Sequence, residues 1–233
     1  LVRVVTPEAE GWGECVAMSE PLYSAEYADG AADVLRRFLI PAVRARLADA
    51  SARFDATLLG ELLAPIRGHR MAKAALEMAV LDAELRAAGR SFAAFLGATR
   101  DRVPCGVSVG IMSSIPELLD AVARYLDDGY VRIKLKIEPG WDVAPVRAVR
   151  ERFGDDLLLQ VDANAAYTLA DANHLAKLDA FDLLLIEQPL AEDDIVQHAR
   201  LAARLRTPIC LDESIESAAH AAAAISLGAC SVI

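Results

Sequence analysis

The sequence predicts an α/β chain in two parts: an α+β domain over residues 1–102, then part of a parallel (β/α)8-type TIM barrel over 103–233. Three observations carry this. First, six short apolar runs follow one another from residue 103: Pro104–Ile111, Tyr130–Ile137, Leu157–Val161, Leu183–Ile186, Pro208–Leu211 and Cys230–Ile233. Their starts lie 26, 27, 26, 25 and 22 residues apart. Second, the segments between them are amphipathic, as in Pro116–Leu126, with Leu118, Leu119, Val122, Ala123 and Leu126 on one side, and in Ile195–Leu205. Continuous apolar strands joined by helical crossovers mean a parallel sheet covered on both faces. Third, the first run is followed by Met112-Ser113-Ser114-Ile115-Pro116, which lacks the glycine-rich loop of a doubly wound nucleotide binder. Four successive strands instead end in charged residues, which is how a barrel builds an active site. Residues 103–233 thus supply strands one to five and the start of a sixth.

The first part reads as a hairpin and helices. Leu1–Val5 alternates weakly, Pro7–Gly11 is a turn and Gly13–Met18 is a second short apolar run. Asp29–Ala48 is helical and interrupted by Pro41. Met71–Ala88 is a helix whose apolar side carries Ala75, Ala79, Leu81 and Leu85, with Gly89 as its C-terminal cap.

Composition narrows the function. With 55% apolar residues the chain can build a core, and a net charge of −10 leaves no broad basic surface for nucleic acid. No apolar stretch is long enough to span a membrane and no signal peptide is visible, so no membrane partner and a cytoplasmic location are expected. Cys15, Cys105, Cys210 and Cys230 have no CxxC spacing and read as buried thiols. The four histidines form no zinc motif. The chain opens on Leu1-Val2-Arg3 without Met and closes on an apolar run, so both ends read as cut.

The chemistry lies at the strand ends. Lys136, Asp162, Glu187 and Asp212 follow one another at intervals of 26, 25 and 25 residues, equal to the strand repeat, which predicts equivalent depth on neighbouring strands. One acid alone reads equally well as a helix N-cap. Three in step would repel one another by several kcal/mol per pair without a cation between them. All-oxygen donors favour a hard ion, Mg²⁺ first and Mn²⁺ second. Lys134 and Lys136, two apart on a strand, project from the same face, and each ammonium is expected to depress the pKa of the other. A lysine base facing such a cation suits removal of a proton alpha to a carboxylate, through an enediolate.

The Lys134-Leu135-Lys136, Asp162-Ala163-Asn164, Glu187-Gln188-Pro189 and Asp212-Glu213-Ser214 segments at these spacings, with the helix from Met71 to Asp82, resemble the enolase superfamily, muconate-lactonizing subgroup. A lysine base with Mg²⁺ and an enediolate is the known arrangement of such sites. Gly11-Trp12-Gly13-Glu14-Cys15, Pro21-Leu22-Tyr23-Ser24, Gly68-His69-Arg70-Met71-Ala72-Lys73 and Val107-Ser108-Val109-Gly110-Ile111 resemble the family of o-succinylbenzoate synthases that also racemise N-acylamino acids.

The resemblance implies that Asp162, Glu187 and Asp212 bind Mg²⁺ and that Lys136 is the acid/base group on one face of a small carboxylate substrate. It implies that Lys134 tunes Lys136 and helps neutralise the enediolate, and that Asn164 supports the metal or the substrate. Gln188 and Glu213 would support the site from behind. Residues 1–102 would be a capping domain lacking its first strand, with Tyr23 and Ser24 as substrate contacts on a loop over the site. A second lysine is expected just beyond Ile233, and a homo-oligomer is implied. The expected activity is the dehydration that yields o-succinylbenzoate for menaquinone, racemisation of N-acylamino acids, or both. The alternatives are a dipeptide epimerase, a muconate-type cycloisomerase, or a non-catalytic fragment, since a whole barrel takes about 250 residues.

Overall fold

A computed structural model describes residues 1–48 and 55–233, which form two compact units, Leu1–Asp101 and Arg102–Ile233. In the first unit, β1 (Val2–Val5) pairs antiparallel with β2 (Glu10–Gly13). The hairpin is as expected, but its second strand is Glu10–Gly13 and not Gly13–Met18. The apolar-run criterion missed it because the buried face of β2 is Gly11 and Gly13, which have no side chain to count.

Helix α1 (Ala28–Val34) runs through a π-helical turn, Leu35–Leu39, into α2 (Ile40–Ala48). Pro41 therefore does not break the helix. It has no N–H to donate and its ring would crowd the carbonyl one turn back, and the wider π turn before it relieves that conflict. Helix α3 (Leu59–Leu63) leads to the long α4 (Arg70–Ala87) and the short α5 (Phe92–Leu96). Small residues Ala72, Ala75, Ala79 and Ala83 bury the face of α4, so the two glycines of β2 lie directly against its backbone. Glu26 caps that helix, accepting the N–H groups of Met71 (2.9 Å) and Ala72 (3.2 Å).

In the second unit, parallel strands alternate with helices: β3 (Gly106–Val109), α6 (Ile115–Asp127), β4 (Arg132–Lys136), α7 (Val143–Phe153), β5 (Leu158–Asp162), α8 (Ala172–Leu175), β6 (Ile186–Glu187), α9 (Ile195–Ala202), β7 (Ile209–Cys210) and α10 (Ala218–Ser226). The sheet order is β3-β4-β5-β6-β7, without the reversal that marks a doubly wound sheet. Val232 bridges Cys210 in parallel where the sixth strand is expected. The arrangement is a partial barrel.

Alternation on each strand sorts the core from the site. On β4, Ile133 and Leu135 are buried with the helices, as are Leu159 and Val161 on β5, while Lys134, Lys136, Gln160 and Asp162 occupy the opposite face. Helix α6 begins on Ser114, whose side chain accepts the Glu117 N–H, followed by Pro116 in the first turn. The buried Arg150 of α7 donates to the carbonyls of Leu157 (2.7 Å), Phe181 (2.8 Å) and Asp182 (2.9 Å), tying the turns that feed β5 and β6. The thiols depart from expectation: Cys210 and Cys230 are buried, whereas Cys105 is exposed and Cys15 only partly covered.

His198 on α9 is fully buried and satisfied by backbone: the Leu190 N–H donates to Nε2 (3.1 Å) and Nδ1 faces the Asp194 carbonyl (2.9 Å). Burial disfavours its charged form and holds its pKa below the usual histidine range. The folded state thus binds this proton less readily than the unfolded chain. Its contribution is complete above a pH of about 6.5 and declines as the pH falls through the folded-state pKa. Urea midpoints between pH 7 and pH 5 are expected to fall more steeply for the natural protein than for His198→Gln, and equal slopes would refute this.

Candidate active site

The register of the strands aligns the charged side chains. Lys136 pairs with Asp162, and Asp162 with Glu187, in one row on the face opposite the helices. Glu187, however, pairs with Cys210 and not with Asp212. Asp212 stands two residues further along, about 6–7 Å beyond the row. The expectation of equal depth is corrected here: the crossover through the eight-residue α9 brings Cys210 into register only 23 residues after Glu187. Residue spacing counted the loop, not the ladder.

Within the row the lysines meet the carboxylates. The Lys134 ammonium lies 2.7 Å from Glu187 Oε1 and 3.0 Å from Asp162 Oδ2. Lys136 Nζ donates to Asp162 Oδ2 at 2.6 Å and to Asn164 Oδ1. The Asn164 backbone N–H completes the shell of Asp162 at Oδ1, 3.0 Å away. Asp162 is 1% exposed. Burial opposes its charge, but the hydrogen bonds from Lys136, Lys134 and the Asn164 N–H prevail and hold its pKa below the carboxylate range. Burial likewise opposes the Lys134 ammonium, yet the hydrogen bonds with Glu187 and Asp162 lift its pKa above the lysine range. For Lys134 the expected depression is reversed, because two carboxylates lie within hydrogen-bond distance of its ammonium.

The other two acids stand differently. Burial raises the pKa of Glu187, against the pull of Lys134 and with the charge of Asp162 adding to it. Asp212 is raised by burial and by the neighbouring charge of Glu213. Among the described residues, no three acidic, histidine or cysteine side chains close into a metal cage. The donor set still fits a hard cation: the oxygens of Asp162, Glu187 and Asp212 repel one another, and positive charge among them would relieve the upward shifts of the last two.

Loop residues hold these ends. Gln188, fully buried at φ 36°, accepts the N–H groups of Asp212 (3.0 Å) and Ser214 (3.3 Å) at Oε1 and donates to Ser214 Oγ (2.7 Å) and the Leu190 carbonyl (3.1 Å). The position of Asp212 is thus set from the neighbouring strand. Asp142, the N-cap of α7, accepts the Tyr167 hydroxyl (2.9 Å) and faces His174 Nε2 (2.8 Å), joining the loops after β4 and β5. Burial, with the Asp142 carboxylate, pushes the Tyr167 phenol well above its usual range. Asn164 and Ala165 are both left-handed, at φ 40° and 63°, which turns the chain sharply after Asp162. Cys210, a buried thiol as expected, lies in register with Glu187, and burial with the charges of Glu187 and Asp212 pushes its pKa up to about 12. A lone cysteine in an apolar run carries no signal for this. In the first unit, Ser24 Oγ donates to the Glu26 carbonyl (3.2 Å) and accepts its N–H, while the Tyr23 side chain is half exposed. Among the described residues no helix is long and apolar enough to cross a membrane.

Comparison with known proteins places the chain in a family. The family model described as "Enolase C-terminal domain-like" matches residues 117–233. The chain is 68% identical over 233 residues to an N-succinylamino acid racemase from Amycolatopsis sp., covering all of this chain and 62% of that protein. It is 48% identical over 234 residues to the o-succinylbenzoate synthase of Geobacillus kaustophilus, covering 61% of it. A crystal structure from Listeria innocua, described as a member of the enolase superfamily, superposes with a TM-score of 0.91 at 39% identity, over 98% of this chain and 60% of that one. The chain thus spans about three fifths of these relatives. With a matched domain, a sheet that runs in barrel order and a lysine–carboxylate row at its strand ends, the chain belongs to the enolase C-terminal domain-like family of the enolase superfamily.

Proposed function

We propose that the protein carrying this chain removes the proton alpha to a carboxylate, with Lys136 as the acid/base group, and that it produces o-succinylbenzoate by dehydration, racemises N-acylamino acids, or does both. The observation that supports this most directly is the row of Lys136, Asp162 and Glu187 on adjacent parallel strands, in a chain 68% identical to an N-succinylamino acid racemase. Lys136 sits on a strand paired on both sides, so its base is fixed before substrate arrives. As a free amine, Nζ takes the alpha proton while the C–H electron pair moves into the carboxylate as an enediolate. Racemisation then requires a proton delivered to the opposite face by a second group. In dehydration, Lys136 alone can return its proton to the departing hydroxyl, which leaves as water.

Asp162, Glu187 and Asp212 would hold Mg²⁺, with Mn²⁺ as an alternative. When bound, the ion would supply electrostatic stabilisation to the negative charge that develops on the substrate carboxylate. Lys134, already balanced between Asp162 and Glu187, would offset remaining negative charge as the enediolate forms. The same reading takes the first unit as a capping domain, Tyr23, Ser24 and Asn164 as substrate contacts, and a cytoplasmic homo-oligomer as the working form.

Incubating the full-length protein with an N-succinylamino acid and Mg²⁺ in D₂O tests the reaction. Deuterium should enter the alpha position, and its absence with both N-succinylamino acids and the o-succinylbenzoate precursor would refute the proposal. Asp162→Asn should weaken Mg²⁺ binding, measured by titration calorimetry, by more than about 10-fold. Unchanged affinity would remove Asp162 from the metal site.

A further inference from the structure

Both ends of the Asn164 carboxamide are engaged. Oδ1 accepts from the Lys136 ammonium, and Nδ2 donates to Glu213 Oε1 at 2.8 Å. Its backbone is already constrained, by the left-handed turn and by the N–H bond to Asp162. The remaining freedom is rotation of the terminal amide. A half-turn would set the NH₂ group against the ammonium and the carbonyl against the Glu213 carboxylate, two repulsive contacts in place of two attractive ones. A charged Lys136 favours the observed orientation too, but once Lys136 is a free amine, able to accept as well as donate, Glu213 alone holds Oδ1 toward it.

Glu213 has little other visible role. Its second oxygen, Oε2, is buried without a hydrogen-bond partner among the described residues. Its charge also raises the pKa of Asp212. A carboxylate held with one oxygen unpaired is costly for the fold. The contact with Asn164 supplies a reason to keep it there.

We infer that Glu213 is a positioning residue for Lys136, acting through the carboxamide of Asn164. The inference rests on the reading of Lys136 as the acid/base group for one face of the substrate. Without an acceptor at position 213, the amide can present either end to the amine, and Nζ loses its fixed direction. Misplacement of a reacting group by about 1 Å can cost on the order of 100-fold in rate. The loss should fall on the enantiomer whose alpha proton faces Lys136.

The experiment compares deuterium exchange into the two enantiomers of one N-succinylamino acid, using full-length enzyme with saturating Mg²⁺. Glu213→Met is close in size and lacks the acceptor, and it should shift the ratio of the two exchange rates by about 10- to 100-fold, with KM changed far less than kcat. Glu213→Gln retains a carbonyl for Asn164 Nδ2 and should restore the ratio to within a few-fold of the natural enzyme. If Glu213→Met does not fold, Asn164→Gly, which keeps the left-handed turn, should give the same shift. An unchanged ratio overturns the inference, as does an equal loss on both enantiomers that follows Mg²⁺ affinity, which would place Glu213 with Asp212. Lys136→Ala is measured in parallel. If it removes exchange on one enantiomer while Glu213→Met leaves the ratio alone, the positioning role fails by itself. If Lys136→Ala leaves both rates intact, the assignment of the base fails.

Discussion

Lys136→Ala in the full-length protein is expected to lower alpha-proton exchange of one substrate enantiomer by about 10²- to 10⁴-fold, the usual contribution of a positioned acid/base group. The fold should survive. Asp162 keeps the Lys134 ammonium at 3.0 Å and the Asn164 N–H at 3.0 Å, so its buried charge is not left without partners. A far-ultraviolet spectrum and urea midpoint close to those of the natural protein would establish this. Exchange of both enantiomers at the natural rate would refute the role of Lys136. The second strand lysine offers a contrast. Lys134 contacts Glu187 as well as Asp162, so Lys134→Ala removes the counter-charge from an acid whose pKa already lies high. That variant should alter Mg²⁺ binding as well as rate, whereas Lys136→Ala should act chiefly on rate.

The largest effect on stability is expected at Gly13. A Cβ there would lie 1.8 Å from the Ala75 carbonyl oxygen and 2.8 Å from the Ala79 nitrogen. Both belong to the backbone of α4, so no side chain can rotate away. The strand must separate from the helix, opening the core of the first unit. Gly13→Ala should cost about 3–5 kcal/mol, at the severe end of single substitutions. Gly60 in α3 is the control, since a Cβ there meets nothing within 4 Å and its φ is not positive. Gly60→Ala should be neutral or stabilise by about 0.5–1 kcal/mol. Urea denaturation of both variants decides the matter, and equal midpoints would show that the close approach of β2 and α4 is not maintained in solution.

Periodicity made the second unit readable, because apolar residues recur on each successive strand, on the face that meets the helices, and the crossovers between them are amphipathic. The Lys136, Asp162 and Glu187 row followed from the repeat for the same reason. Asp212 did not, since counting residues cannot distinguish a shorter crossover from a shift in register. The glycines of β2 were invisible to a reading that scores side chains, although their spacing matches the alanines of α4. The upward shift of Lys134 depends on Glu187, 53 residues away, and the orienting contact of Glu213 on Asn164, 49 residues away. Neither local composition nor spacing carries such partners. Arg150 is hidden likewise, because it acts on backbone groups of distant turns, whereas Gln188 stands out in the Glu187-Gln188-Pro189 segment and only its partners 24 and 26 residues away do not.

The Gln188 amide has one more consequence. By accepting the N–H groups of both Asp212 and Ser214, it closes the chain from β6 to the loop after β7 into a ring held by a side chain. The conformational entropy of that loop is lost when the protein folds, so none of it opposes a later binding event at Asp212. Affinity at this carboxylate should therefore be governed mainly by enthalpy and solvent release. Gln188→Leu would move the entropy loss into the binding step, and calorimetry would record it as a more unfavourable entropy of association.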